Sequence, residues 1–261
     1  MGINCGNLIL LKGYADALAM PNPLGDLLMF GRLTNTLSDG ERARVAKRHK
    51  VPQQVLAGKN TEPLLKELGA SNVLSLDISD YEGCDIVFDL MDDVAQRPDL
   101  KRIVGRFDTI LDFGTSEHVF NAPQALVNAW NMLKDGGRYI FDLPVTGWVS
   151  HGLYQFSPNY FYSVGKSGYF RLAHLFFHHK RGDKILAHPQ FRQWRLRQRQ
   201  RCEEDFRLGC PRKDAPGGHD GASRPRGSAR HAIGYSPGGA GGRRQGNRTF
   251  GMSSIQQGFA S

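Results

Sequence analysis

No run of about 18 apolar residues occurs in this chain, so nothing in it reads as a membrane-spanning helix. Its start does not read as a secretory signal either. The short apolar run Leu8–Leu11 has no basic stretch before it and no convincing cleavage pattern after it. Cysteine is scarce: Cys5, Cys84, Cys202 and Cys210 are far apart and form no C-x-x-C pair. That argues against a zinc ribbon or a disulfide framework and points to a reducing, cytoplasmic location. Glycine fingerprints are missing too. No G-x-G-x-x-G follows a strand pattern, which weighs against a nicotinamide-dependent oxidoreductase.

What is present is ordinary for a globular α/β chain: 261 residues, 40% hydrophobic and 23% charged. The net charge of +9 is unevenly placed. Residues 1–188 carry 20 basic and 20 acidic side chains, whereas residues 189–261 carry 14 and 5. The basic character therefore belongs to the tail and says nothing about a folded domain. The expected organisation is a domain over 1–188, weakly patterned for its first ~25 residues, and a disordered low-complexity tail over 189–261. The abrupt loss of apolar patterning near His188 also fits out-of-frame translation of GC-rich DNA. Re-reading the gene downstream of that codon in another frame tests this: no patterned continuation there would end the idea.

Within the domain, strand-like and helix-like segments alternate. Leu27–Gly31 reads as a first strand. Ser38 and Glu41 form a capping box for a helix reaching about His49. Thr61 is placed to cap a short helix, with Pro63 in its first turn and Gly69 at its end. Asn72–Ile78, Asp85–Phe88 and Phe107–Phe113 read as strands, and Pro98–Val104 as a helical connector. Pro123–Leu133 is an amphipathic helix. Gly136-Gly137 reads as a turn into the strand Arg138–Leu143. Ser157-Pro158 opens a further helix, and Tyr169–His178 with Asp183–Leu186 flanks a hairpin turn at Lys180–Gly182. Such alternation implies βαβ units and a mostly parallel sheet with helices on both faces, closed by a C-terminal antiparallel hairpin.

In open α/β sheets, ligands bind beyond the carboxyl ends of the strands. Asp77 follows one strand and can accept hydrogen bonds from both hydroxyls of a ribose. Asp89 follows the next and can accept from an adenine amino group, with Leu90 covering the ring. The plainer alternative for each acid is a turn cap or an exposed loop. His151, Tyr154 and Gln155 follow the last parallel strand, where substrate usually enters; equally, Tyr154 and Phe156 can plug the edge of the core. His174, His178 and His179 lack the spacing of a metal-ligand set.

The run FDTILDFGTSEHVFN over 107–121, followed by LKDGGRYIFDLP over 133–144, resembles class I S-adenosylmethionine-dependent methyltransferases. The later HGLYQFSPNYFY is similar to a segment of a subset often encoded near glycan functions. The resemblance covers about 120 residues. It implies a Rossmann-like, seven-stranded methyltransferase sheet, S-adenosyl-L-methionine as methyl donor, and a cofactor-side loop of Phe113, Gly114, Thr115 and Glu117. It offers His118 as a general base, or as a helix-start residue with a positioning role. Some relatives pair this Glu-His with an earlier glutamate to hold a divalent cation. Gly114 or a near neighbour takes that place here, so no metal is expected. The family's first turn is rich in glycine; this chain has Gly31 alone, with Arg32 beside it to pair with the donor's carboxylate.

Three readings stay open at this point. The first is methyl transfer to a small-molecule or glycan-pathway acceptor. The second is an inactive methyltransferase-like module. The third is non-specific nucleic-acid binding through Arg192–Arg201, against which a solvated basic tail is the plainer reading. No membrane partner is expected.

Overall fold

The computed structural model describes residues 2–179, 185–187 and 249–257, with backbone alone from 179 onward. Five parallel strands form the centre of an α/β fold. In chain order they are β2 (Gly25–Phe30), β4 (Ala70–Asp77), β5 (Ile86–Val87), β6 (Phe107–Phe113) and β7 (Leu133–Thr146); β1 (Gly2–Ile3) and β3 (Thr34–Asn35) pair in a small separate ladder. Across the sheet the order is β5-β4-β2-β6-β7. The chain builds outward from β2 to β5, then returns to the other side of β2 as β6. The order therefore reverses at the β2–β6 crevice, a topological switch point.

Strand periodicity sets the layers. Leu28 and Phe30 of β2 join Ile110, Tyr139 and Phe141 on one face. Leu27 and Met29 join Leu111, Phe113 and Ile140 on the other. The first face is covered by α5 (Ala122–Met132) and α6 (Pro158–Lys166). The second is covered by α1 (Cys5–Leu18), α2 (Asp39–His49), α3 (Gln53–Ala57) and α4 (Glu62–Glu67). Parallel strands buried on both faces explain the continuous apolar runs of β2 and β6.

Most expected elements stand within two residues of their place, and Ser38 and Glu41 make the expected capping box. Three details differ. Cys5–Leu18 is helical, although its apolar residues run around the helix rather than along a stripe. Asn4 and Asn7 close a reciprocal capping box, and Leu8 and Leu11 are fully buried. Thr61 stands at the N-cap position of α4 but its side chain makes no cap bond: it is fully buried and its hydroxyl donates to the Leu33 carbonyl at 3.0 Å. Gly136-Gly137 is not a turn before a strand but an irregularity inside β7. The ladder pairs Phe107 with Leu133 and then Thr109 with Arg138, so residues 134–137 fall out of register, with Gly136 at φ 77°.

Beyond β7 lie β8 (Arg171–Leu172), β9 (Leu175–His179) and β10 (Ile185–Ala187), the last antiparallel to β9. The hairpin turn expected at Lys180–Gly182 lies outside the described residues. Thr249–Gln257 (β11), part of the expected tail, runs parallel to both β7 and β9. The rest of the tail, Arg192–Arg201 included, lies outside the described residues. No described helix is long and apolar enough to cross a membrane.

Candidate functional site

Register places the strand ends level. Phe30 pairs with Leu76 and with Asp112, Asp77 with Val87, and Phe113 with Asp142. Gly31, Asp77, Asp89 and Gly114 therefore follow their strands along one carboxyl edge. Gly31 (φ 72°) and Gly114 (φ 91°) occupy the left-handed region that turns the chain sharply away from the sheet.

The β2–β4–β5 side of that edge is tied up in local bonds. Asp77 accepts from the Ile78 N–H at 2.7 Å, and Asp89 from the Met91 N–H at 2.9 Å. Gly31 donates to the Leu76 carbonyl at 2.6 Å. Arg32, expected beside the donor's carboxylate, is turned the other way. It pairs with Glu62 at 2.9 Å and donates to the carbonyls of Glu82 and Gly83. The Thr115 hydroxyl donates to the Phe30 carbonyl at 2.5 Å, spanning the switch-point crevice. Leu90 and Phe113 are buried in the cores of opposite faces rather than at the edge. Both carboxylates are partly exposed at their strand ends. Arg32 would have to leave Glu62 to meet a cofactor's carboxylate.

The β6–β7 side is organised by Asp112. This fully buried carboxylate accepts from the N–H groups of Thr115 (3.1 Å) and Ser116 (3.2 Å) and from the hydroxyls of Ser116 and Tyr139. Burial pushes its proton affinity up against those four donors, and burial beside Asp112 raises Tyr139 well above its usual range. A cavity of about 10 Å³, lined by Ser116, Tyr139 and Phe161 among others, lies alongside; it has room for about one water.

The next acid fares differently. Glu117 is 2% exposed, and its Oε2 has no hydrogen-bond partner. Burial first, then the charge of Asp112, pushes its carboxyl up to about 8. Two half-exposed imidazoles face it, with Nε2 of His151 at 3.8 Å and of His118 at 4.0 Å from its Oε1. Burial lowers the His118 pKa, which favours its neutral form. His151 stands edge-on to His118, with ring centres 5.0 Å apart. Tyr154 and Gln155 are exposed next to it, and the Tyr154 hydroxyl donates to the Phe120 carbonyl at 2.5 Å.

The structure therefore brings Glu117, His118 and His151 together and leaves Asp77 and Asp89 on the neighbouring strand ends. Sequence reasoning missed Asp112 and Tyr139 as organisers of the loop. It also missed a buried cluster on the opposite face. There Asp142 accepts from Asn7 (3.0 Å) and Asn4 (3.5 Å), and the His178 Nε2 lies 3.1 Å from both its oxygens. The signal was an acid inside an otherwise apolar strand, as in LDF and FDL.

No protein-family model, curated protein or solved structure matches the chain.

Proposed function

We propose that the chain is a methyltransferase of the class I type, moving the methyl group of S-adenosyl-L-methionine to a small-molecule or glycan-pathway acceptor. The observation that carries this reading is the strand order β5-β4-β2-β6-β7 with Asp77 and Asp89 at the ends of its second and third strands. In this reading Asp77 holds the ribose hydroxyls, Asp89 the adenine amino group, and the backbones of Gly31 and Gly114 allow close approach. β9 and β10 pair antiparallel, as this reading expects of a closing hairpin, while β11 runs parallel between β7 and β9. A sulfonium methyl is already activated, so the domain's task is alignment and exclusion of water rather than a proton relay. The acceptor enters where His118, His151, Tyr154 and Gln155 are exposed.

A second reading, a methyltransferase-like module without activity, is favoured by two features: Arg32 is held by Glu62 and Thr115 spans the switch point. Ultraviolet cross-linking of methyl-labelled S-adenosylmethionine to the full chain, followed by peptide mapping, separates the two. Label in peptides carrying Asp77, Asp89 or Gly114–Glu117 supports the enzyme. An unlabelled but folded sample supports the module.

A further inference from the structure

We propose that Glu117, His118 and His151 form a binding site for a first-row divalent transition-metal ion. One ligand atom from each lies within 4.8 Å of the other two, giving two imidazole nitrogens and one carboxylate oxygen. That donor set suits zinc, cobalt, nickel or iron better than the all-oxygen ions magnesium and calcium. With metal–ligand distances of roughly 2.0–2.2 Å, the donors need to close by about 1 Å, which rotation of two half-exposed imidazoles supplies. The same exposure leaves further coordination positions facing water.

The third ligand comes from a distance in sequence, and the fold delivers it. After β7 the chain doubles back over Glu117: Leu153 and Tyr154 donate to the Glu117 carbonyl at 2.6 and 3.2 Å. Gly152 sits at φ 71°, and a Cβ there would lie 2.9 Å from both Cγ and the carbonyl oxygen of Glu117. Only a glycine lets this loop come so close, and His151 is its neighbour. Absence of an earlier glutamate at Gly114 therefore does not decide the matter.

An independent observation asks for a cation. Asp112 takes the N–H groups of Thr115 and Ser116 and the Ser116 hydroxyl, so the loop has spent these donors. Glu117, buried beside it, keeps its Oε2 with no hydrogen-bond partner, while its Oε1 stands 3.8 and 4.0 Å from the two imidazoles, beyond hydrogen-bond distance. A carboxyl buried this way either stays protonated or is paired with a cation, and the two imidazoles beside it supply the further ligands a metal needs.

The inference does not use the adenosyl cofactor, so it stands or falls separately from methyl transfer. The test is titration of the full chain with Co²⁺, read by its visible d–d absorption, with equilibrium dialysis against Zn²⁺ in parallel. The expected result is one ion per chain, bound at least tenfold more weakly by His118→Ala and by His151→Ala, and unchanged by His174→Ala. Glu117→Gln should behave as the first two. If that variant does not fold, the half-exposed histidines decide. No bound ion, or full affinity retained in both histidine variants, would overturn the proposal and leave an imidazole–carboxylate cluster only.

Discussion

The two sides of the carboxyl edge solve the same problem in opposite ways. Every parallel strand must end, and each end leaves polar groups to satisfy. Around β2, β4 and β5 the side chains satisfy the local backbone: Asp77 and Asp89 accept from residues just after them, and Arg32 bridges Glu62 to the loop at Glu82. Between β6 and β7 the buried Asp112 gathers four donors and leaves its neighbour Glu117 without any for Oε2. The first side is locally complete and exposed. The second is buried and incomplete, and incompleteness is where a ligand gains most.

If this contrast holds, substitutions should separate by side. Asp112→Ala should have the largest effect, because it strands the Tyr139 and Ser116 hydroxyls and two N–H groups. A loss of about 3–5 kcal/mol is expected from denaturant midpoints. A loss below about 1 kcal/mol would mean the loop is not built on that acid. Gly152→Val should come next. It combines a left-handed φ with a contact against Glu117, for a loss of about 1–2 kcal/mol, and it should weaken Co²⁺ binding together with His151→Ala. Unchanged metal affinity in that variant would detach the loop geometry from the site.

On the other side the expected effects on stability are small. Arg32→Ala removes a part-exposed ion pair and should cost at most about 1 kcal/mol. Its cofactor affinity should also stay near that of the native chain, since Arg32 is turned toward Glu62; a large drop would show that it changes partners on binding. Asp77→Ala should be the mildest in stability, within about 0.5 kcal/mol, because its bond is to the adjacent backbone. Its effect belongs to binding instead.

The same contrast governs what could be read from the sequence. The central strands were legible because a parallel strand buried on both faces is a short apolar run, as in LLMF and TILDF, and the Ser38–Glu41 box marked a helix start directly. Asp77 and Asp89 were legible as strand-end acids because each closes or follows such a run. The first helix was not, since its box uses Asn7 where a glutamate or glutamine is the usual signal and its leucines do not form one stripe. Thr61 was legible as a helix start, but its buried hydroxyl satisfies a distant carbonyl instead of its own helix. The meeting of His151 with Glu117 had no signal in spacing at all. It depends on the left-handed turn at Gly152 and on the backbone bonds of Leu153 and Tyr154.

The most direct test of the functional reading is calorimetric titration of S-adenosylmethionine into the native full chain and into Asp77→Ala. Saturable micromolar binding to the native chain is expected. The variant should bind about tenfold or more weakly, as for a lost hydrogen bond to a charged group. No binding to a folded native sample, or equal affinity in both, would contradict it.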